Sequence, residues 1–179
     1  LERAKADKQT IVLPEGDDPR TLEAAETILA QGVANLIVLG NVAAIKESGR
    51  KLDGATLIDP QDSDLHDEFA NTLYELRKHK GMTLEQAAEK VRDVLFFGVL
   101  MVKTGRADGM VSGACHSTGD VLRPSLQILK TAPGVKLVSS FFIMVVPNCE
   151  YGQNGTFLFS DCGVEIQPDA EKLAHIAVN

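Results

Sequence analysis

Short β-branched apolar runs alternate with stretches of helical periodicity along the first half of this chain, and that alternation limits the fold more than any other feature. Thr10–Leu13 is a strand-like run stopped by Pro14-Glu15-Gly16. After it, Asp18 can cap a helix with Pro19 in its first turn, Leu22, Ala25, Ile28 and Leu29 line one face, and Gly32 ends it. Asn35–Leu39 reads as a second buried strand, Val42–Ser48 as a helix, Ala55–Ile58 as a strand and Leu65–His79 as a longer amphipathic helix. Strands and helices in units of this size require parallel strands with crossover helices on both faces. The expected fold class is therefore α/β, a three-layer, doubly wound and mostly parallel sheet.

From Thr83 a capping box with Gln86 opens a helical region running to about Lys103, with a break expected near Gly98. Asp108–Val111 turns apolar and extended. The loop Ser112–Asp120, built of small and hydroxyl residues, then leads into a helix over Val121–Lys130. Leu137–Val146 and Thr156–Ser160 read as strands and Asp169–Val178 as a helix. The turn-rich stretch 147–155 is where a chain would cross between domains, so a first domain over 1–146 and the start of a second over 147–179 are expected.

In open α/β sheets, ligands bind beyond the carboxyl ends of the strands, where loops feed helix N-termini. Ser112–Asp120 follows a strand in that way. Gly113 and Gly119 would let backbone approach an anion, Ser117 and Thr118 offer hydroxyls, and Arg123 offers a planar fork suited to phosphate. A tight turn beside a surface arginine would look the same. The loop has neither the Gly-Lys-Ser/Thr ending of a nucleotide P-loop nor the Gly-x-Gly-x-x-Gly of a dinucleotide fold. Arg77-Lys78-His79-Lys80 is a second cationic patch, and it also fits a solvated helix end. Arg20 lies in the charged turn after the first strand. His116 could serve as an acid, a base or a structural hydrogen-bonding group, and Cys149 could be a reactive or an inert thiol.

Composition removes several classes of partner. With 18 Lys and Arg against 25 Asp and Glu the net charge is −7, so no nucleic acid is expected to be held by counterion release. Val94–Val102 and Leu137–Val146 are too short to span a bilayer, and LERAKADKQT lacks the apolar core of a secretory signal. A cytoplasmic protein without membrane contact is expected. Three cysteines without a Cys-x-x-Cys pair read as free thiols, and the scattered histidines give no metal site.

As a set, IVLPEGDDPRTLEAA, ELRKHKGMT, ADGMVSGACHSTGDVLRPSLQILKTAPG, FFIMVVP and LFSDC resemble the phosphate acetyltransferase family over the whole chain. The resemblance implies a two-domain fold like the isocitrate and isopropylmalate dehydrogenases, with the second domain incomplete here, and a homodimer. It implies transfer of acetyl between coenzyme A and phosphate by direct attack of the thiolate on acetyl phosphate, with no tightly bound cofactor. Arg77 and Arg123 match arginines that bind coenzyme A or phosphoryl groups, and Ser117 and Thr118 match the phosphate-side loop. Cys149, Arg20, Ser112 and Gly113 are expected near the site. The family's catalytic serine, arginine and aspartate are expected beyond residue 179. Two alternatives stay open: a related acyltransferase using butyryl groups, and a non-catalytic acyl-CoA-sensing module. A dehydrogenase fits least, because neither a metal-binding carboxylate cluster nor a nicotinamide fingerprint is present.

Overall fold

The computed structural model describes residues 1–179 as two compact units, Leu1–Leu129 and Lys130–Asn179. In the first, a short helix α1 (Glu2–Ala6) precedes β1 (Thr10–Leu13), α2 (Pro19–Gln31), β2 (Asn35–Leu39), α3 (Val42–Glu47) and β3 (Thr56–Ile58). Three helices follow, α4 (His66–Arg77), α5 (Leu84–Lys90) and α6 (Val94–Lys103), and then β4 (Gly109–Met110) and α7 (Thr118–Ile128). The four strands form one sheet in the order β3-β2-β1-β4. Every pairing is parallel, with Val12 opposite both Ile37 and Met110. The α/β class with a parallel sheet stands as expected.

Alternation along the strands sends side chains to two faces, and each face has its own core. Val12, Ile37 and Leu39 pack with Phe69, Leu73, Phe97 and Leu100 under the α4–α7 layer. Leu13, Leu36 and Val38 pack with Leu22, Ala25 and Ile45 of α2 and α3 on the other side. Each large side chain so buried contributes roughly 1.5–3 kcal/mol. Helix ends follow local chemistry: the Asp18 carboxylate accepts from Arg20 N at 2.8 Å, and Gly32 takes the left-handed conformation that closes α2.

The helix break expected near Gly98 lies elsewhere. α5 ends at Lys90, and α6 starts afresh with Asp93 accepting from the N–H groups of Leu95 and Phe96 at 2.9 and 3.1 Å. Gly98 sits inside α6 because a Cβ there would lie 2.7 Å from Met110 Sδ and 3.2 Å from Val12 Cγ1. Close approach of helix to sheet, not chain flexibility, explains the glycine. Gly98→Ala should therefore destabilise the first unit by about 1–2 kcal/mol, overpacking outweighing the gain in helix propensity. Urea unfolding followed by far-UV circular dichroism checks it, and a variant more stable than the parent would show that the sheet can yield.

The second unit holds β5 (Phe141–Val145), β6 (Thr156–Ser160) and α8 (Ala170–Val178). β5 and β6 pair antiparallel, with Phe141 opposite Ser160 and Val145 opposite Thr156. The stretch expected to begin a new domain at 147 is the connection within this hairpin, with Asn148, Gly152, Asn154 and Gly155 at positive φ. The strand expected over Leu137–Val146 is confined to its second half. After β6 the Asp161 carboxylate accepts from Ser140 Oγ and from the N–H groups of Gly163 (2.8 Å), Val164 (3.2 Å) and Glu165 (3.1 Å). Those bonds, the serine hydroxyl foremost, hold it well below the usual carboxylate range. No helix of either unit is long and apolar enough to cross a membrane.

Candidate functional site

The carboxyl ends of β1 and β4 lie side by side, so the turn after β1 and the loop after β4 meet at one edge of the sheet. The turn Pro14-Glu15-Gly16 is pinned by Gly16 N donating to Leu39 O at 2.9 Å, and a Cβ on Gly16 would fall 2.5 Å from that oxygen. Glu15 is thereby aimed at the loop. It is 4% exposed, the one charged residue buried in the chain.

Its carboxylate fills the loop. Oε2 accepts from the N–H groups of Gly113 and Ala114 at 2.9 Å each. Oε1 accepts from those of Cys115 at 3.0 Å and His116 at 3.1 Å, and lies 2.8 Å from His116 Nδ1. Gly113 has φ 118°, a conformation side chains rarely adopt, and this lets successive amides converge on one point. Burial alone would raise the Glu15 pKa, but the amides of Cys115 and Ala114, the His116 ring and the Gly113 amide outweigh it and hold the group far below the ordinary value.

The loop does approach an anion, as its composition suggested, but that anion is Glu15. Gly113 therefore supports an internal carboxylate. Glu15, Cys115 and His116 also present three ligand-type atoms within 4.8 Å of one another. A cation between them would face four amide hydrogens already directed at the carboxylate. The Cys115 thiol is moreover pushed up, by burial first and then by its hydrogen bond to Glu15, away from the thiolate a metal needs. The cluster fits an anion receptor better than a metal centre.

Arg20 ties the two segments together. Its guanidinium binds the Asp18 carboxylate at 2.6 and 3.0 Å and donates to Ala114 O at 2.6 Å. Beside it a cavity of about 300 Å³ is walled by Leu13, Ala24, Ile28 and Val111, with Arg20 and Ser112 at its polar side. Ser112 Oγ is buried there without a hydrogen-bond partner.

The helix after the loop starts earlier than expected. Ser117 caps α7 in a reciprocal box with Asp120: Ser117 Oγ accepts from Asp120 N at 3.3 Å, and the Asp120 carboxylate accepts from Ser117 N at 3.2 Å and from Ser117 Oγ at 2.6 Å. Thr118, Gly119 and Asp120 are its first turn, and all are exposed. Arg123 follows one turn after Asp120, exposed to solvent. The arginines engaged in ion pairs are Arg20, Arg50 and Arg106, and Arg92 donates to Gln61 O, so Arg77 and Arg123 are, with Arg3, the arginines free of such partners.

Arg77 closes α4, half-buried, and its Nε is buried without a partner. Arg106, just before β4, binds Glu68 in the first turn of α4 at 2.8 Å. Nine residues on, at about 1.5 Å each, Arg77 lies about 13 Å along the helix from that contact. Cys149 belongs to the second unit, half-buried in the hairpin connection beside Gly155. The first unit thus gathers Arg20, Ser112 and Gly113 around Glu15, with Ser117 capping the adjoining helix that carries Thr118 and Arg123. Glu15 itself escaped the sequence reading, although a lone carboxylate between proline and glycine directly after a strand was the available sign.

A profile of the family described as phosphate acetyl/butaryl transferase matches residues 1–179. The phosphate acetyltransferase of Thermoanaerobacterium thermosaccharolyticum is 57% identical over 99% of this chain and 55% of its own length. That of Acetivibrio thermocellus is 55% identical over 100% of this chain and 54% of its own. Among solved structures, a phosphotransacetylase from Streptococcus pyogenes superposes with a TM-score of 0.89 at 40% identity, covering 99% of this chain and 54% of that one. The EutD phosphotransacetylase from Staphylococcus aureus gives 0.84 at 39% identity, covering 99% and 53%. The chain spans about half the length of the relatives it matches. Match along every residue, identity above half and a shared backbone lead to one conclusion: this chain belongs to the phosphate acetyl/butaryl transferase family.

Proposed function

We propose that this chain is part of a phosphate acetyltransferase and supplies the phosphoryl-facing wall of its active site. The observation that carries the reading is the 57% identity, along 99% of the chain, to a relative named phosphate acetyltransferase. Coenzyme A, acetyl phosphate and phosphate are the substrates, and coenzyme A is used as a substrate with no tightly bound cofactor. A cytoplasmic homodimer belongs to the same proposal, to which three free cysteines are congenial.

In this mechanism the coenzyme A thiolate attacks the carbonyl carbon of acetyl phosphate, the carbon–oxygen bond to phosphate breaks, and phosphate leaves with the bonding pair. Little covalent chemistry falls to the protein beyond positioning and charge stabilisation. Ser117, Thr118 and Arg123 would hold phosphoryl oxygens, Arg77 would hold an anionic group of coenzyme A, and Arg20 would brace the loop. The proton-accepting and carbonyl-activating groups are assigned to the family's serine, arginine and aspartate motif, outside these residues.

Acetyl-CoA formation from acetyl phosphate and coenzyme A by the full-length protein is the test. Turnover supports the reading. Turnover of butyryl phosphate alone would move the protein to the butyryl branch, and no turnover with either would overturn the enzyme assignment.

Cys149 has no chemical step in this mechanism. Cys149→Ala should therefore keep activity within about threefold of the parent, under about 1 kcal/mol. An inactive alanine variant in the same thioester assay would give the thiol a role denied to it here.

A further inference from the structure

Six hydrogen bonds converge on Glu15: four from backbone amides that shape the loop, one from the Cys115 thiol at 3.5 Å, and one from the His116 ring. The last is the short side-chain bond, at 2.8 Å, and its ring continues outward. The Glu15 side chain is 2% exposed and the His116 side chain 29%, so the pair runs from the interior to the surface. An ionised carboxylate only accepts hydrogen bonds, and the bond at 2.8 Å therefore places a hydrogen on Nδ1. Nε2 makes no hydrogen bond to the protein and is not among its buried unpartnered atoms. His116 directly precedes Ser117, the cap of α7.

We propose that His116 is an anion-binding residue, its ring fixed by the buried Glu15 so that Nε2 hydrogen-bonds a phosphoryl oxygen at the start of α7. Glu15 is then a positioning residue. The proposal rests on the reading of this loop as the phosphoryl-facing wall and adds to it a ligand and the group that aims it. A ring held by a carboxylate through one nitrogen presents the other along a set direction, the arrangement by which such pairs orient imidazole at metals and in hydrolases. The bond to a phosphoryl oxygen needs one hydrogen, which can sit on Nε2 or on the phosphate, so either partner can donate it.

The surroundings favour that occupant. Groups facing His116 are Glu15 from the turn after β1, Cys115 from its own loop, with Sγ 3.6 Å from Nδ1, and Asp120 from the first turn of α7. Glu15 is spent on the loop and Asp120 on the Ser117 cap. Arg123, one turn beyond Asp120, has no ion-pair partner, and the amino end of α7 adds its dipole.

Ring 15N NMR of the 179-residue chain, with inorganic phosphate as the probe, separates this from a purely structural histidine. The expected spectrum has His116 Nδ1 protonated before phosphate is added, and a saturable Nε2 shift when it is. His116→Asn should weaken phosphate binding about tenfold or more while leaving circular dichroism unchanged. Glu15→Gln should release the ring from its fixed tautomer, and Glu15→Asp should restore it in part. A ring protonated on Nε2 alone, or one indifferent to phosphate in a chain whose Arg123→Ala variant loses phosphate binding, would overturn the proposal. Since none of these readouts needs turnover, a chain that binds phosphate through Nε2 but belongs to no active transferase would sink the enzyme reading and leave this one standing.

Discussion

Glu15→Leu is expected to lower the stability of the first unit by about 3–5 kcal/mol at neutral pH. The substitution preserves apolar volume but leaves the amides of Gly113, Ala114, Cys115 and His116 without their acceptor. Each unmet buried donor costs roughly 1–3 kcal/mol, and water can reach part of the loop because Gly113 and Cys115 are exposed. That brings the sum below four full penalties. Acid should act on the same contact. Between the ordinary glutamate value near 4.5 and the much lower folded one, the unfolded chain binds a proton that the folded chain does not. The contribution of Glu15 is thus complete above about pH 4.5 and is lost as pH falls through the folded value. Asp161, lowered in the same direction by Ser140 and the amides after it, gives the second unit a parallel acid sensitivity. The chain has no tryptophan, so urea unfolding followed by far-UV circular dichroism at several pH values is the suitable measurement. A leucine variant within 1 kcal/mol of the parent at pH 7 would mean that water replaces the carboxylate. If Glu15→Gln leaves the acid limb unchanged, the limb belongs to other groups.

This contact also marks the line between what was legible in the sequence and what was not. Strands, helices and their caps could be read because their causes are local: β-branched runs, 3.6-residue periodicity, Asp18 and Thr83 at helix starts, Gly32 at a stop. The parallel sheet followed from the alternation of those elements. Glu15 carried a local sign in its place between Pro14 and Gly16 after a strand, but its partners lie 98 to 101 residues away and were not legible from it. The loop after β4 was legible as one whose backbone could approach an anion, but that its amides at 113–116 converge on Glu15 was not. Gly98 failed in the same way. Local propensity made it a helix break, whereas its reason is the approach of Met110 and Val12 from strands β4 and β1. The early start of α7 was within reach, because Ser117 and Asp120 have capping-box spacing, but the small residues between them read as loop.

Arg123→Ala is expected to reduce kcat/KM for acetyl phosphate about 30- to 1000-fold in the full-length enzyme, equivalent to roughly 2–4 kcal/mol of transition-state binding. Arg123 is exposed on α7 without an ion-pair partner, so its removal breaks no packing and frees no buried charge. Circular dichroism and the urea midpoint should be unchanged. The guanidinium fork can hold two phosphoryl oxygens at once, and an ammonium in its place keeps the charge but loses the paired geometry. Arg123→Lys should therefore recover only part of the loss. Because phosphate departs with added charge, the defect should fall on kcat as well as KM, which distinguishes a group bound to the phosphoryl from one that only attracts the substrate. The capping box works against α7 as the sole anion site: Ser117 Oγ donates to the Asp120 carboxylate, so it turns to an incoming phosphoryl group only by leaving that bond, and Arg123, Thr118 and the His116 ring then have to offset the nearby Asp120 charge. Asp120→Asn, which keeps the cap and removes that charge, should then lower the KM for acetyl phosphate where Arg123→Ala raises it. Steady-state kinetics with acetyl phosphate varied at saturating coenzyme A reads both. An Arg123→Ala variant within about threefold of the parent would place the phosphoryl group elsewhere.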